Sequence, residues 1–283
     1  MKYDDLAARR AAAIAKDSCF TKGRLRDEFR MKPAPGTEPV KWYKSPYGGK
    51  YGVYRITDCV PMREKRQQTD KQRLSSLRLS ILSQLNSTCG RLAHKAHTWL
   101  GQNPLFLDTE TTGLGDKAEA LEIGLTDVSG SVVFETRLKP TVAIEPQAAA
   151  VHGIDESALN GAHSWPDVAQ QLRHAIGQRP LIIFNAPFDT RILKQTAAAH
   201  GDPADWLDDV TVHCAMKLAA DYFGATNRYG TISLASASSQ AALVWEGQAH
   251  SAIADAKMTA GVVCAIAAYF RQLQQELESL ESA

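Results

Sequence analysis

Three short clusters of ionisable residues, each at the edge of an apolar run, constrain this chain more than any other feature. Asp108 and Glu110 lie in LFLDTETTGL, Asp189 in IIFNAPFD, and His250 with Asp255 in AHSAIADAKMTA. Each apolar run would leave a core where its carboxylate begins and open onto a site. Gathering four negative charges out of water is strongly unfavourable unless a cation sits among them. The pattern reads as a divalent-metal site with a proton acceptor beside it.

Local geometry supports that convergence. Alternate residues on a strand point the same way, so Asp108 and Glu110 share one face of the first strand and Thr109 faces away. Asp189 falls in the first helical turn after a strand ending at Phe184, where the helix N-terminus favours a negative charge. Asp255 falls in the first turns of the last helix. His250 precedes it by five residues, about 140° around a helix. To reach the same site it must sit in the loop before the helix, with Ser251 as the cap.

Hard oxygen ligands without cysteine select Mg²⁺ or Mn²⁺ over zinc. Two such ions about 4 Å apart clamp the attacking and leaving oxygens of an in-line phosphoryl displacement. A neutral histidine takes the proton from the attacking water. The reaction class implied is metal-assisted phosphodiester hydrolysis. Taken singly, each residue has a plainer reading: a turn or cap aspartate, a carboxylate complementing a helix dipole, a structural histidine. Their joint occurrence in chain order favours the site.

At 283 residues, 44% hydrophobic and 22% charged, the chain can build a full core in one large domain or two smaller ones. The longest apolar stretch, Met258 to Phe270, has the length of a buried helix rather than a membrane span. The N-terminus lacks the apolar stretch of a secretory signal. Cys19, Cys59, Cys89, Cys214 and Cys264 form no CxxC pair; this argues against a disulfide framework or zinc site and suits a reducing cytoplasm.

The formal charge of +1 hides a division. Residues 1–100 hold 21 Lys and Arg against 9 Asp and Glu, and the rest hold 11 against 22. Such asymmetry points to nucleic-acid contact by the basic part, or to a basic surface covering the acidic half of its own chain. The first hundred residues read as a small basic α+β domain. Helices are expected at Asp4–Lys16 and Lys22–Arg30, then a break at MKPAPGTEP. A hairpin follows in VKWYKSPYGGKYGVYRI, then a basic helix with Leu74, Leu77, Ile81, Leu82 and Leu85 on one face. A winged-helix-like module is one arrangement of these parts.

From residue 101 the expectation is an α/β domain. LFLDTE, ALEIGLTDV and VVFETRL form an antiparallel meander with a turn at Ser129–Ser131. A helix covers Asp167–Ile176. PLIIFN is a buried strand, followed by a helix that Asn185 caps with Pro187 in its first turn. A mixed sheet flanked by helices results.

These residues resemble a known family. DTETTGL, FNAPFD and HSAIADA look like the three exonuclease motifs of the DEDDh (DnaQ-like) 3′→5′ exonucleases. That group includes the proofreading subunit of bacterial replicative polymerase, ribonuclease T and oligoribonuclease. The resemblance spans about residues 104–270 and includes AAVHGI at 149–154. It implies a ribonuclease H-like fold, two Mg²⁺ or Mn²⁺ ions on Asp108, Glu110, Asp189 and Asp255, and His250 as general base. It also implies that the backbone after Glu110 (Thr111 and Gly113) and the Leu114 side chain meet the 3′-terminal nucleotide, with Thr109 counted among the substrate-binding residues. His152, Asn185 and Phe188 are placed near the substrate, although His152 reads equally as a structural loop residue and Asn185 as a cap. Two departures touch no ligand: Phe184 stands where many members have histidine, and Cys214-Ala215 where many have Asp-Thr.

The function expected is removal of nucleotides from the 3′ end of single-stranded DNA in the cytoplasm. An exoribonuclease is the alternative, as is a non-catalytic nucleic-acid-binding or polymerase-accessory protein. In the basic segment Trp42, Tyr43, Tyr47, Tyr51 and Tyr54 alternate with Lys41, Lys44, Lys50 and Arg55, a mixture suited to stacking bases and pairing phosphates; the same aromatics could instead form the small domain's core. A replication or repair protein is a further expected partner. Val263, Ile266, Phe270, Leu273, Leu277 and Leu280 form a stripe through which two copies could pair.

Overall fold

A computed structural model describes residues 3–46, 48–63, 68–245 and 250–282. The chain forms two compact units, Met1–Thr69 and Asp70–Ala283. In the first, β4 (Lys50–Arg55) is the centre of an antiparallel sheet between β1 (Cys19–Thr21) and β3 (Lys41–Lys44). β2 (Met31–Pro33) pairs with β5 (Cys59–Pro61). Two helices, α1 (Tyr3–Ala15) and α2 (Lys22–Phe29), complete the unit. The Thr21 hydroxyl starts α2 by accepting from the Arg24 amide at 3.3 Å. Leu25, Phe29, Met31, Tyr54 and Ile56 lead a small core.

The expected hairpin is present, but the winged-helix-like module is not. The segment read as a break begins with β2, and the third helix belongs to the second unit. Tyr47 and residues 64–67 of the basic segment lie outside the described residues.

The second unit starts about thirty residues before the expected boundary near residue 100, for a packing reason. Ala93, Ala96 and Trp99 of α4 (Thr88–Gly101) share a buried cluster with Val262, Val263, Ile266 and Ala267 of α10 (Ala252–Glu281). Phe270 of α10 stacks on His94, with ring centres 4.6 Å apart, and lies tilted against His97 at 5.1 Å. Arg78 of α3 (Asp70–Leu85) pairs with Glu281 at 3.0 Å. The stripe on α10 is thus met largely within the chain. The expected apolar face of α3 is only half covered: Ile81 is buried while Leu74 and Leu77 are exposed.

The central sheet has the order β10 (Val212–Cys214), β9 (Leu181–Ile183), β6 (Leu105–Thr111), β7 (Ala120–Thr126), β8 (Val132–Arg137). β6, β7 and β8 are the expected antiparallel meander, while β9 and β10 run parallel to β6. Asp127 Oδ1 closes the β7–β8 turn by accepting from the Ser129 and Ser131 amides. Alternation on β6 assigns its two faces. Leu105 and Leu107 pack with α6 (Trp165–Ile176) and α7 (Ala186–Ala199), whereas Phe106 packs with α4, α8 (Ala215–Phe223) and α10. A mixed sheet flanked by helices is therefore the architecture, as expected.

α10 is long and apolar enough by composition to cross a membrane, but its apolar residues have a nearer partner. Ala256, Ala260, Val263 and Ile266 are buried against the sheet cluster. Its N-terminal turn crosses β7 at Gly124, where a Cβ would lie 2.7 Å from the Ala252 carbonyl carbon and 2.8 Å from the Ile253 nitrogen. Both are backbone atoms of the same helix, so a side chain would displace the helix rather than a rotamer.

Gly124→Ala is expected to lower stability by about 1–3 kcal/mol, more than a glycine-to-alanine exchange in an unobstructed strand. Urea unfolding followed by circular dichroism measures it; an unchanged midpoint would show that α10 does not depend on this approach.

Candidate active site

Gly124 lies directly opposite Asp108 in the β6–β7 ladder, and Glu122 lies opposite Glu110. Because Gly124 has no side chain, the start of α10 rests on the sheet beside Asp108. Asp255, in the first turn of that helix, is brought to the two strand carboxylates. Asp108, Glu110 and Asp255 each offer an oxygen within 4.8 Å of the others. Glu110 is buried, and Asp108 and Asp255 are half-buried.

Glu122, a residue the sequence reading did not single out, secures this arrangement. It is buried on β7; its Oε1 accepts from the Ala252 amide at 2.9 Å and its Oε2 from Arg137 Nε at 3.0 Å. One carboxylate thus ties the first residue of α10 to β7 and β8. The signal was present in ALEIGLTDV, where an acidic residue interrupts a strand that is apolar on both faces.

Asp189 arrives from the other side of the sheet, in the first turn of α7. Its Oδ1 accepts from the Thr109 amide at 3.1 Å and the Thr109 hydroxyl at 2.8 Å. Thr109 does point away from Asp108 and Glu110, and its amide and hydroxyl orient the Asp189 carboxylate. His250 occupies the loop before α10, exposed, with a left-handed φ of 64°. Histidine adopts that region more readily than most residues. Its amide donates to Asp255 Oδ1 at 3.2 Å, and Ser251 caps the helix by accepting from the Ala254 amide.

The electrostatics record the crowding. Burial, then the charges of Asp189, Asp255, Glu110 and Glu122, hold Asp108 well above the usual carboxylate range. Burial, then Asp255, Glu122 and Asp189, pushes Glu110 up to about 8. Burial raises Asp189 to about 7 despite the opposing hydrogen bonds from Thr109. At Asp189 desolvation outweighs the favourable α7 N-terminus. Burial also raises Asp255, opposed by the His250 amide bond and the His250 charge. Among the described residues, none of the four pairs with a lysine or arginine. An all-oxygen donor set with no cationic partner fits a hard divalent ion.

The loop after Glu110 is built rigidly. Thr111 Oγ1 donates to the Gly113 carbonyl, and the Thr112 carbonyl accepts from the Glu145 amide, both at 2.8 Å. A Cβ on Gly113 would collide with the Glu145 carboxylate. His152 braces the loop: its Nδ1 accepts from the Ile154 amide at 3.0 Å, leaving Nε2–H to donate to the Thr111 carbonyl at 3.1 Å. Both ring nitrogens are thus occupied within the chain. Leu114 is 74% exposed at the tip. Asn185 stands at the N-cap position of α7 but makes no side-chain capping bond; its carbonyl accepts from the Phe188 amide. Phe188 is half-buried beneath the Arg191 guanidinium. Phe184 packs in the α4–α8–α10 cluster.

The exonuclease family RNase_T matches residues 105–263, more than half the chain and all five strands of the central sheet. The chain belongs to this exonuclease family: it is of the DEDDh, DnaQ-like type, with a ribonuclease H-like fold. It is 36% identical over 190 residues to exonuclease CP81 of Escherichia phage 186, covering 65% of this chain and 97% of that one. It is 64% identical over 126 residues to the Salmonella typhimurium protein pSLT049, covering 44% of this chain and 91% of that one. It is 33% identical over 95 residues to DNA polymerase III subunit epsilon of Escherichia coli, covering 30% of this chain and only 39% of that subunit. The chain is thus an exonuclease-type phosphodiester hydrolase, of a family that depends on divalent metal.

The raised carboxylates fix the sign of a pH effect. Glu110 titrates near 8 when folded against an ordinary 4.5, so the folded chain holds the extra proton between those values. Stability without metal therefore falls as pH rises through that window. A cation that favours the ionised carboxylates gives its largest gain at the alkaline end, about 3 kcal/mol at a hundredfold excess over Kd. Melting in EDTA and in Mn²⁺ at pH 5, 6.5 and 8 tests this. The EDTA slope should be shallower in Glu110→Gln; equal slopes would remove Glu110 as its source.

Proposed function

We propose that the chain is a 3′→5′ exonuclease that removes nucleotides from single-stranded DNA, with residues 70–283 as the catalytic unit. The observation that carries the reading is the meeting of Asp108, Glu110 and Asp255 within 4.8 Å, with Asp189 acting on the same charges and His250 bonded to Asp255. Two Mg²⁺ or Mn²⁺ ions held by Asp108, Glu110, Asp189 and Asp255 would supply Lewis-acid stabilisation of charge on the phosphate oxygens.

His250 accepts the proton of water as the water oxygen bonds to the terminal phosphorus. The bond from phosphorus to the 3′-oxygen of the preceding nucleotide breaks, and that oxygen gains a proton. The products are a 5′-nucleotide and a strand shortened by one. An exposed loop position lets the imidazole reach solvent to lose its proton, while the Asp255 bond keeps its backbone in place. The braced loop from Thr111 to Leu114 offers backbone and the Leu114 side chain to the terminal nucleotide, with Asn185 and Phe188 at its other side.

The similarity to polymerase III epsilon subunits supports DNA and a replication or repair partner. The unbridged cysteines suit the cytoplasm. Pairing of two copies would use Leu277 and Leu280, half-buried at the end of α10, beside exposed Leu74 and Leu77.

The test is a 5′-labelled single strand incubated with Mg²⁺, Mn²⁺ or EDTA. A ladder retreating from the 3′ end with either metal, and intact strand in EDTA, is expected; release of the 5′ label first would reject the polarity. Faster loss of an RNA strand of the same sequence would select the exoribonuclease alternative. His250→Ala should lower kcat by about 10²–10⁴-fold with strand affinity retained, and a smaller loss would take the general-base role from it.

A further inference from the structure

The β3–β4 hairpin of the first unit carries three aromatic side chains that its core does not use. Tyr54 and Phe20 face the core built on Leu25, Phe29 and Ile56. Trp42, Tyr43 and Tyr51 do not: they are 56%, 41% and 42% exposed. Antiparallel register pairs Tyr43 with Tyr51 and Lys41 with Val53. These four therefore share the face of the sheet opposite Tyr54. The two tyrosine rings stack with centres 5.7 Å apart and planes 20° apart, and Lys41 Nζ lies 5.2 Å from the Tyr43 ring centre. Trp42, Lys44 and Lys50 stand on the other face, at the hairpin's exposed end.

Residues 39–55 contain four Lys and Arg and no Asp or Glu, and residues 1–69 hold 16 basic residues against 8 acidic. Among the described residues, Arg55 alone of the four is offset, by Asp17 at 3.3 Å. An edge strand does gain from lysines, which discourage pairing with a second sheet. That account covers Lys41 and Lys44 on β3 but not their neighbours, since exposed tryptophan and tyrosine favour the association that lysines prevent. Flat rings beside unpaired ammonium groups instead match a chain of bases linked by phosphates: the rings stack on unpaired bases and the lysines neutralise the backbone.

We propose that this hairpin is a binding platform for single-stranded DNA, separate from the carboxylate site. It rests on the reading above only in taking DNA as the polymer. A duplex, whose bases already stack on one another, offers the rings no face, so the platform selects unpaired strands.

The test uses the full chain in EDTA, which stops cleavage, and the anisotropy of a labelled thirty-nucleotide oligothymidylate. Tyr43→Ala with Tyr51→Ala, and separately Trp42→Ala, should each raise Kd at least fivefold. Lys41→Gln, Lys44→Gln and Lys50→Gln together should flatten the slope of log Kd against log salt by about 2. Because these side chains are exposed, melting temperatures should stay at the wild-type value, and the lysine variant keeps the test open if an aromatic variant does not fold. Hydrolysis of the p-nitrophenyl ester of thymidine 5′-monophosphate with Mn²⁺ should be unaffected by every hairpin variant. Unchanged Kd and salt slope would overturn the platform, as would an equal loss of affinity for a blunt duplex. Failure of the wild-type chain to cleave the ester would instead count against the catalytic reading and leave the binding result standing.

Discussion

Burial of four carboxylates with no cationic side chain among the described residues to offset them is the constraint on which the second unit turns. Burial is the larger cause that raises the proton affinity of Asp108, Glu110, Asp189 and Asp255; neighbouring carboxylates add to it at Asp108 and Glu110, and Asp255 adds to it at Asp189. No fold would gather them for stability alone, because the arrangement without a cation is worse than leaving them in water. The surrounding packing has to hold them in place. Phe106 and the α10 cluster on one side, and Leu105 and Leu107 with α7 on the other, supply the apolar burial that offsets the strain. The result is a site whose charge is incomplete until a divalent ion arrives.

Three unremarked residues convert that packing into geometry. Gly124 lets the α10 backbone lie against β7; Glu122 takes the first amide of the helix and is itself held by Arg137. Thr109, alternating with the two strand carboxylates, faces α7 and holds Asp189 there. None is a donor to an ion, yet each decides where a donor stands. His250 differs in being held by backbone alone, which leaves its ring at solvent while its position stays tied to Asp255.

The first unit obeys a different economy. Its core is a handful of side chains, too few to need every aromatic it carries, and its charge is opposite in sign to that of the catalytic unit. A catalytic body rich in acids repels a polyanion beyond the immediate reach of its ions. The basic, ring-bearing hairpin proposed as a platform would supply attraction that an acidic unit lacks.

Much of the site could be read from the residues. The alternation of Asp108, Thr109 and Glu110 assigned their faces, and the five-residue spacing put His250 in a loop before α10, because both inferences rest on local periodicity. The meander and the strand before α7 were legible for the same reason. Local pattern could not place α3 and α4: their basic composition resembled the residues before them, whereas their partner, α10, lies more than 150 residues downstream. Nor could it show that Thr109 and His152 spend their polar atoms on the protein, or that Glu122 anchors α10, since those bonds join segments far apart in the chain. The residue types and their order by themselves determined which chemistry this protein carries. Only the tertiary structure decided which side chains hold that chemistry in place, because burial and hydrogen bonding across the sheet exist only once distant segments have met.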